Sequence, residues 1–266
     1  MTDTSGTAAL PTLCRSGNPD APALVLIHGW AQDQRIFNAL RAELAEQFDI
    51  YSFDRRGYGA SILPANLSLE HLDVSQLVKQ IGKQITLLGF SQGARIATRF
   101  ASHAPELVTK LIICGGVMDG YVTDSIDIHA IDLPHFKTLA LAGELVALRR
   151  QWLAHPYCCL GMDDQSAAQL YAITQDYCAN DLTNAAGHDF SFPDNVYQQL
   201  LQLQIPTLFI NGHYEAPPRL ELADRYTASS PDHHKTIIQG AGHMAVLSHA
   251  VQVAQAIELF AQGSAS

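Results

Sequence analysis

The sequence predicts an α/β protein: a mostly parallel β-sheet flanked by helices on both faces, with a helical cap inserted. Three observations carry this. Several short runs are apolar at every position, as strands buried on both faces must be. Those runs alternate with segments of helical periodicity, which is how a parallel sheet with crossover helices reads. Finally, the alternation stops between residues 120 and 200 and resumes afterwards.

The elements follow in order. One short strand is expected near Leu13. ALVLIHG (23–29) is an apolar run ending at glycine, a buried strand. Residues 34–47 place Phe37, Leu40 and Leu44 at helical spacing. DIYSFD (49–54) is the next strand, and the glycine-rich DRRGYGAS follows it as a loop. Ser68 is placed to cap a helix running to Ile81, with Glu70 in its first turn. ITLLGF (85–90), a helix over 92–104 and KLIICGG (110–116) complete the first half. PTLFING (206–212), a helix over 218–229, KTIIQ (235–239) and a helix over 246–262 complete the second. The predicted division is a core of residues 1–118 and 201–266 and a helical cap of residues 119–200, seated over the carboxyl edge of the sheet.

Composition narrows the function. The chain has 266 residues, 47% hydrophobic and 16% charged, enough apolar material for a full core. Lys and Arg number 16 against 26 Asp and Glu, for a net charge of −10. A surface of that sign repels phosphate backbones, so neither nucleic acid nor an anionic membrane is an expected partner. The opening MTDTSGTAALPTLC has neither the basic nor the apolar region of a secretory signal. Cys14, Cys114, Cys158, Cys159 and Cys178 show no C-x-x-C spacing. They read as reduced thiols of a cytoplasmic protein, and no metal site is expected.

The chemistry concentrates at strand ends. Gly89-Phe90-Ser91-Gln92-Gly93 is a G-x-S-x-G that follows a buried strand and opens a helix, the setting of a nucleophile elbow. Ser91 is the expected nucleophile. His28-Gly29-Trp30 ends the first strong strand, beside that elbow. The N–H groups of Trp30 and Gln92 are the expected oxyanion donors. His28 itself reads as a buried structural histidine. The base is expected from Gly240-Ala241-Gly242-His243-Met244, whose loop follows the last strand at the same sheet edge; His243 would take the serine proton and return it to the leaving group. Two acids compete to orient His243. Glu215, after PTLFINGHY, is favoured and gives the chain order serine, acid, histidine; Asp119, beyond the fourth strong strand, is the rival.

LVLIHGW, SFDRRGYGAS, LLGFSQG, PTLFINGHYE and GAGHMAVLSHA together resemble the α/β-hydrolases, in particular their carboxylesterases, enol-lactonases and carrier-protein methyl esterases. WLAHP (152–156) resembles a cap segment of some of these esterases. The resemblance implies an eight-stranded sheet, a helical cap, a Ser–acid–His triad and no cofactor. It departs from the pattern in a short N-terminal segment, in glutamate where aspartate is usual, and in Ala94 where a second glycine is common. Arg95 reads as a surface or cap contact, and the charges of DRRGYG as scaffold. Relatives that act on haloalkanes or epoxides use an aspartate nucleophile, so Ser91 argues against both chemistries.

The expected function is hydrolysis of a carboxylic ester of small to medium apolar acyl or aromatic type, through an acyl-enzyme. Trp30, Trp152, Tyr157 and Met244 are the expected pocket, with Tyr171, Tyr177, Phe190 and Phe192 as further apolar walls. Alternatives on the same scaffold are a lactonase, a C–C bond hydrolase and a cofactor-free dioxygenase, the last sharing the W-x-x-D-x-R pattern of Trp30, Asp33 and Arg35. A non-catalytic ligand receptor is the alternative from another class.

Overall fold

In the computed structural model the described residues are 13–184 and 195–263. Strands β1 (Leu13–Gly17), β2 (Ala23–Ile27), β3 (Asp49–Phe53), β4 (Ile85–Phe90), β5 (Val108–Cys114), β6 (Thr207–Gly212) and β7 (His233–Ile238) form one sheet in the order β1-β3-β2-β4-β5-β6-β7. β1 runs antiparallel to β3, and every other pairing is parallel. The sheet therefore has seven strands among the described residues, one fewer than the resemblance implied. Among the described residues the N-terminal segment supplies one strand, and that strand closes the β3 edge.

β2, β3, β4 and β6 are buried along their whole length, and alternate side chains enter two separate cores. Leu24, Leu26, Ile50, Leu88, Phe90 and Ile210 face one side; Val25, Ile27, Phe53, Leu87, Ile113 and Phe209 face the other. This is why the strands read as unbroken apolar runs. The helical layers are α1 (Asn38–Glu43) on one side, and α2 (Glu70–Ile81) and α3 (Gln92–His103) on the other. The helix expected over 34–47 is shorter than its periodicity, because a 3-10 turn at Gln34–Phe37 precedes α1. Ser68 does not cap α2: a 3-10 turn at Leu67–Leu69 leads into it, and no side-chain cap bond forms there. Gly82, at φ +71, ends α2 in the left-handed conformation glycine adopts without strain.

Between β5 and β6 lie α4 (Leu133–Leu141), α5 (Leu145–Leu153), α6 (Pro156–Cys159), α7 (Asp164–Gln175), α8 (Asn180–Thr183) and α9 (Val196–Gln202). Helices α4 to α8 pack on one another and on the Trp30 side of the sheet. Helix α9 packs on α3 and buries Val196 and Leu200 in the opposite core, so it joins the helical layer there although most of it falls within 119–200. The chain closes with α10 (Pro217–Thr227), α11 (Ala245–Ser248) and α12 (Ala250–Gln262). No helix among the described residues is long and apolar enough to cross a membrane.

Candidate active site

Ser91 sits between β4 and α3 at φ +54 and ψ −118, a conformation a residue with a Cβ adopts at a cost of roughly 1–3 kcal/mol. Close packing of glycine backbone makes the turn possible. A Cβ on Gly89 would lie 2.5 Å from Cα of Ala94, and one on Gly93 would lie 2.3 Å from the Ile27 carbonyl oxygen. The Ser91 N–H donates to Cys114 O at 2.8 Å, which fixes the bend against β5. Ser91 remains partly accessible.

His243 arrives from the loop after β7. Its Nε2 lies 2.9 Å from Ser91 Oγ and its Nδ1 lies 2.7 Å from Glu215 Oε2. A carboxylate only accepts, so Nδ1 carries the proton and Nε2 presents its lone pair to the serine hydroxyl. His243 and Glu215 are both buried. Burial alone would raise the Glu215 pKa. The charge and hydrogen bond of His243, the Arg219 guanidinium and the Ala216 N–H (3.1 Å) outweigh it and hold the carboxyl below the usual glutamate value. Sequence brings these three side chains from positions 91, 215 and 243 to one sheet edge because all three follow parallel strands.

Asp119 is elsewhere. Its carboxylate is paired with Arg95, which corrects its reading as the rival acid; Arg95 is buried, so of the two expectations for it the surface one fails, and from α3 it contacts the first residue of the predicted cap. His28 is fully buried and neutral. Its Nδ1 lies 2.9 Å from Gly29 O and its Nε2 accepts the Arg55 N–H at 3.0 Å; burial first, then the Arg55 charge, pulls its pKa far down.

Gln92 is the first residue of α3, where a backbone N–H has no acceptor within its own helix. Trp30 precedes Ala31, which is at φ +56. The two loops are braced by one residue that sequence reasoning treated as scaffold. Arg55 donates to His28 O at 3.2 Å, to Gly29 O at 2.9 Å and to Gln92 Oε1 at 2.7 Å, and its guanidinium is paired with buried Glu70 at 2.5 Å. Asp33 and Arg35 of the W-x-x-D-x-R pattern pair with each other at 2.6 Å, and Arg35 continues to Asp176 at 2.7 Å.

The expected pocket residues divide. Trp30 and Trp152 pack edge to face at 4.6 Å, with Phe136 and Tyr177 around Trp30 at 5.5 and 6.0 Å. Tyr157 lies 4.5 Å from the His243 ring, and Met244 is fully buried with its sulfur accepting from Gln32 Nε2 at 3.3 Å. Tyr171 points to solvent. Phe190 and Phe192 fall outside the described residues.

Three further residues carry the site without a sequence signal of their own. Asp181 on α8 is buried and accepts from Trp30 Nε1 (2.8 Å), Tyr58 Oη (3.0 Å) and Tyr177 Oη (2.7 Å). Burial raises its pKa against those three bonds. Gly115, at φ +56, presses on the relay: a Cβ there would lie 2.9 Å from His243 Nδ1 and 3.0 Å from Glu215 Oε2. Arg219 on α10 is buried behind Glu215. No group of three or more His, Cys, Asp or Glu among the described residues could hold a metal ion.

Comparison with known proteins agrees with this architecture. A family model described as the alpha/beta hydrolase family matches residues 24–256. A pimeloyl-(acyl-carrier protein) methyl ester esterase of Aliivibrio salmonicida is 23% identical over 261 residues, covering 90% of this chain and 92% of its own. One of Yersinia pseudotuberculosis is 26% identical over 257 residues, covering 94% and 95%. A solved structure, a bromoperoxidase from Bacillus anthracis, superposes with a TM-score of 0.77 at 22% identity, covering 94% of each chain.

Proposed function

The chain belongs to the alpha/beta hydrolase family, and on that premise we propose that it is a serine esterase that cleaves a carboxylic ester through an acyl-enzyme. Ser91 Oγ gives its proton to His243 Nε2 and attacks the ester carbonyl. The N–H groups of Trp30 and Gln92 hold the oxyanion, and Glu215 balances the imidazolium. His243 then protonates the departing alcohol, and water releases the acid by the same steps in turn. The observation that carries this reading is the continuous relay from Ser91 Oγ through both ring nitrogens of His243 to Glu215, at 2.9 and 2.7 Å. No cofactor enters any step.

The substrate is an ester with a small to medium apolar acyl or aromatic part. The aromatic group of Trp30, Trp152, Phe136 and Tyr177 supports an apolar neighbour for the acyl part. The methyl ester esterases of Aliivibrio and Yersinia suggest a small alcohol on the other side of the ester. The pairing of Asp119 with Arg95 weighs against a dioxygenase, since that reading needed Asp119 as the partner of His243.

Ser91→Ala tests the proposal. Hydrolysis of p-nitrophenyl esters should fall by up to ~10⁶ while the fold is kept. A fluorophosphonate should label the wild-type protein at Ser91 alone. Near-normal turnover in the variant overturns the assignment, and an acyl-chain panel then ranks the substrates.

A further inference from the structure

Glu215 is one methylene longer than an aspartate and has one more torsion to fix before it can hold His243. Its own bonds do not fully restrain it: Oε2 meets His243, while Oε1 accepts only the N–H of the next residue, Ala216, at 3.1 Å. Behind it, one turn along the chain, stands a buried cation. Arg219 Nε lies 3.8 Å from Glu215 Oε1 and donates to Gly115 O at 3.1 Å. Gly115 is the residue where an added Cβ would lie within 3.0 Å of both members of the His243–Glu215 pair. On its far side Arg219 donates to Tyr157 Oη and faces Asp127 Oδ2 at 3.4 Å, and its guanidinium lies 4.5 Å from the centre of the Tyr157 ring. Tyr157 also bonds Asp127, at 3.0 Å, and its ring lies against His243. One guanidinium thus lies beside the acid's second oxygen, bonds the backbone next to the pair, and bonds the tyrosine that lies against the imidazole.

We propose that Arg219 is a positioning residue of the catalytic relay, holding Glu215 in the rotamer that meets His243 and, through Tyr157 and Asp127, tying that rotamer to the seating of the cap. The proposal rests on the reading of Ser91, His243 and Glu215 as the relay. Without Arg219 the buried carboxylate loses the cation that balances it from behind, and Oε1 is held only by the Ala216 N–H.

The experiment compares wild type with Arg219→Met and Arg219→Lys. It measures kcat and KM on a p-nitrophenyl ester, and follows by proton NMR the far-downfield resonance of the His243 Nδ1–H bonded to Glu215. In R219M kcat falls 10- to 100-fold with KM within about twofold, and the downfield resonance is lost; R219K recovers both in part. A resonance unchanged in R219M overturns the proposal, as does R219K as impaired as R219M, which makes the effect one of packing. If R219M does not fold, Tyr157→Phe decides: it keeps the ring against His243 and removes only the hydroxyl. A two- to fivefold loss in kcat with a weakened resonance supports the tie to the cap, and wild-type values overturn it. A wild-type protein that cleaves no ester removes the esterase reading alone, and the resonance in R219M still decides for or against the positioning role.

Discussion

Gly115→Ala is the most informative single change, because the structure sets its size. The residue is at φ +56, where a side chain costs about 1–2 kcal/mol. Its new Cβ would lie 2.9 Å from His243 Nδ1 and Cε1 and 3.0 Å from Glu215 Oε2. Ordinary contact needs ~3.4–4.0 Å, so the His–Glu pair must retreat by roughly half an ångström or more. That displacement falls on the atoms that set the orientation of Nε2 towards Ser91. A misplacement of about 1 Å costs on the order of 10²-fold in rate, so a loss of about 10- to 100-fold in kcat is expected. Stability should drop by the backbone cost, and for a chain of this size ~1 kcal/mol moves Tm by about 2–4 °C. Turnover of p-nitrophenyl acetate and a thermal melt on the same sample check both. A variant that melts a few degrees lower yet turns over at the wild-type rate would falsify the claim that Gly115 sets the position of the pair.

Two further outcomes separate neighbouring explanations. Glu215→Gln should lower kcat by ~10³–10⁴, because the amide cannot balance the imidazolium, while Asp119→Asn should stay within about threefold; the reverse order would make Asp119 the acid. Asp49 reports on the sheet edge instead. Burial raises its pKa, but the bonds from Arg15, Tyr51 and Lys83 outweigh this and bring it from 3.8 to about 2. Its contribution to stability is therefore complete above the unfolded value and fades as pH falls towards the folded one. The Tm gap between wild type and Asp49→Asn should narrow as pH falls from 4 to 2, and a constant gap would remove the ion pair as its cause.

The centre of the sheet was legible because β2, β3, β4 and β6 are buried on both faces and so leave runs that no amphipathic helix produces. The meeting of Ser91 and His243 was legible because glycines flank both in the sequence, and glycine marks a chain visibly. Glu215 was legible by its place after β6. Asp119 followed a strand too, and what excludes it is Arg95, a contact between α3 and the loop after β5 that has no local pattern. Arg219 and Asp181 escaped notice for a related reason, and Arg55, read as scaffold, gave no sign of which loops it braces. Each acts by meeting partners far along the chain, and Asp181 meets Trp30 from 151 residues away. A buried charge looks like a surface charge until its partners are known. Ser68 shows the opposite error: a residue with good capping propensity was overridden by a 3-10 entry turn.

The helices between β5 and β6 meet the proposed catalytic centre through Tyr157 and Asp181, and the energetics of these contacts bear on how firmly that layer is seated. Tyr157 covers His243 and takes the Arg219 N–H, while Asp181 holds the Trp30 indole, Tyr58 and Tyr177. Among these contacts, lifting residues 119–184 as a body would break the bonds of Trp30 and Tyr58 to Asp181 and that of Arg219 to Tyr157, three in all. At about 1.5–3 kcal/mol for each bond to a charged group, that opening costs on the order of 5 kcal/mol or more. Fewer than about one molecule in a thousand would be open at that cost. Ser91, however, is already partly accessible with both contacts intact. On the proposed mechanism these contacts would keep Trp30 and His243 fixed while Ser91 attacks the carbonyl.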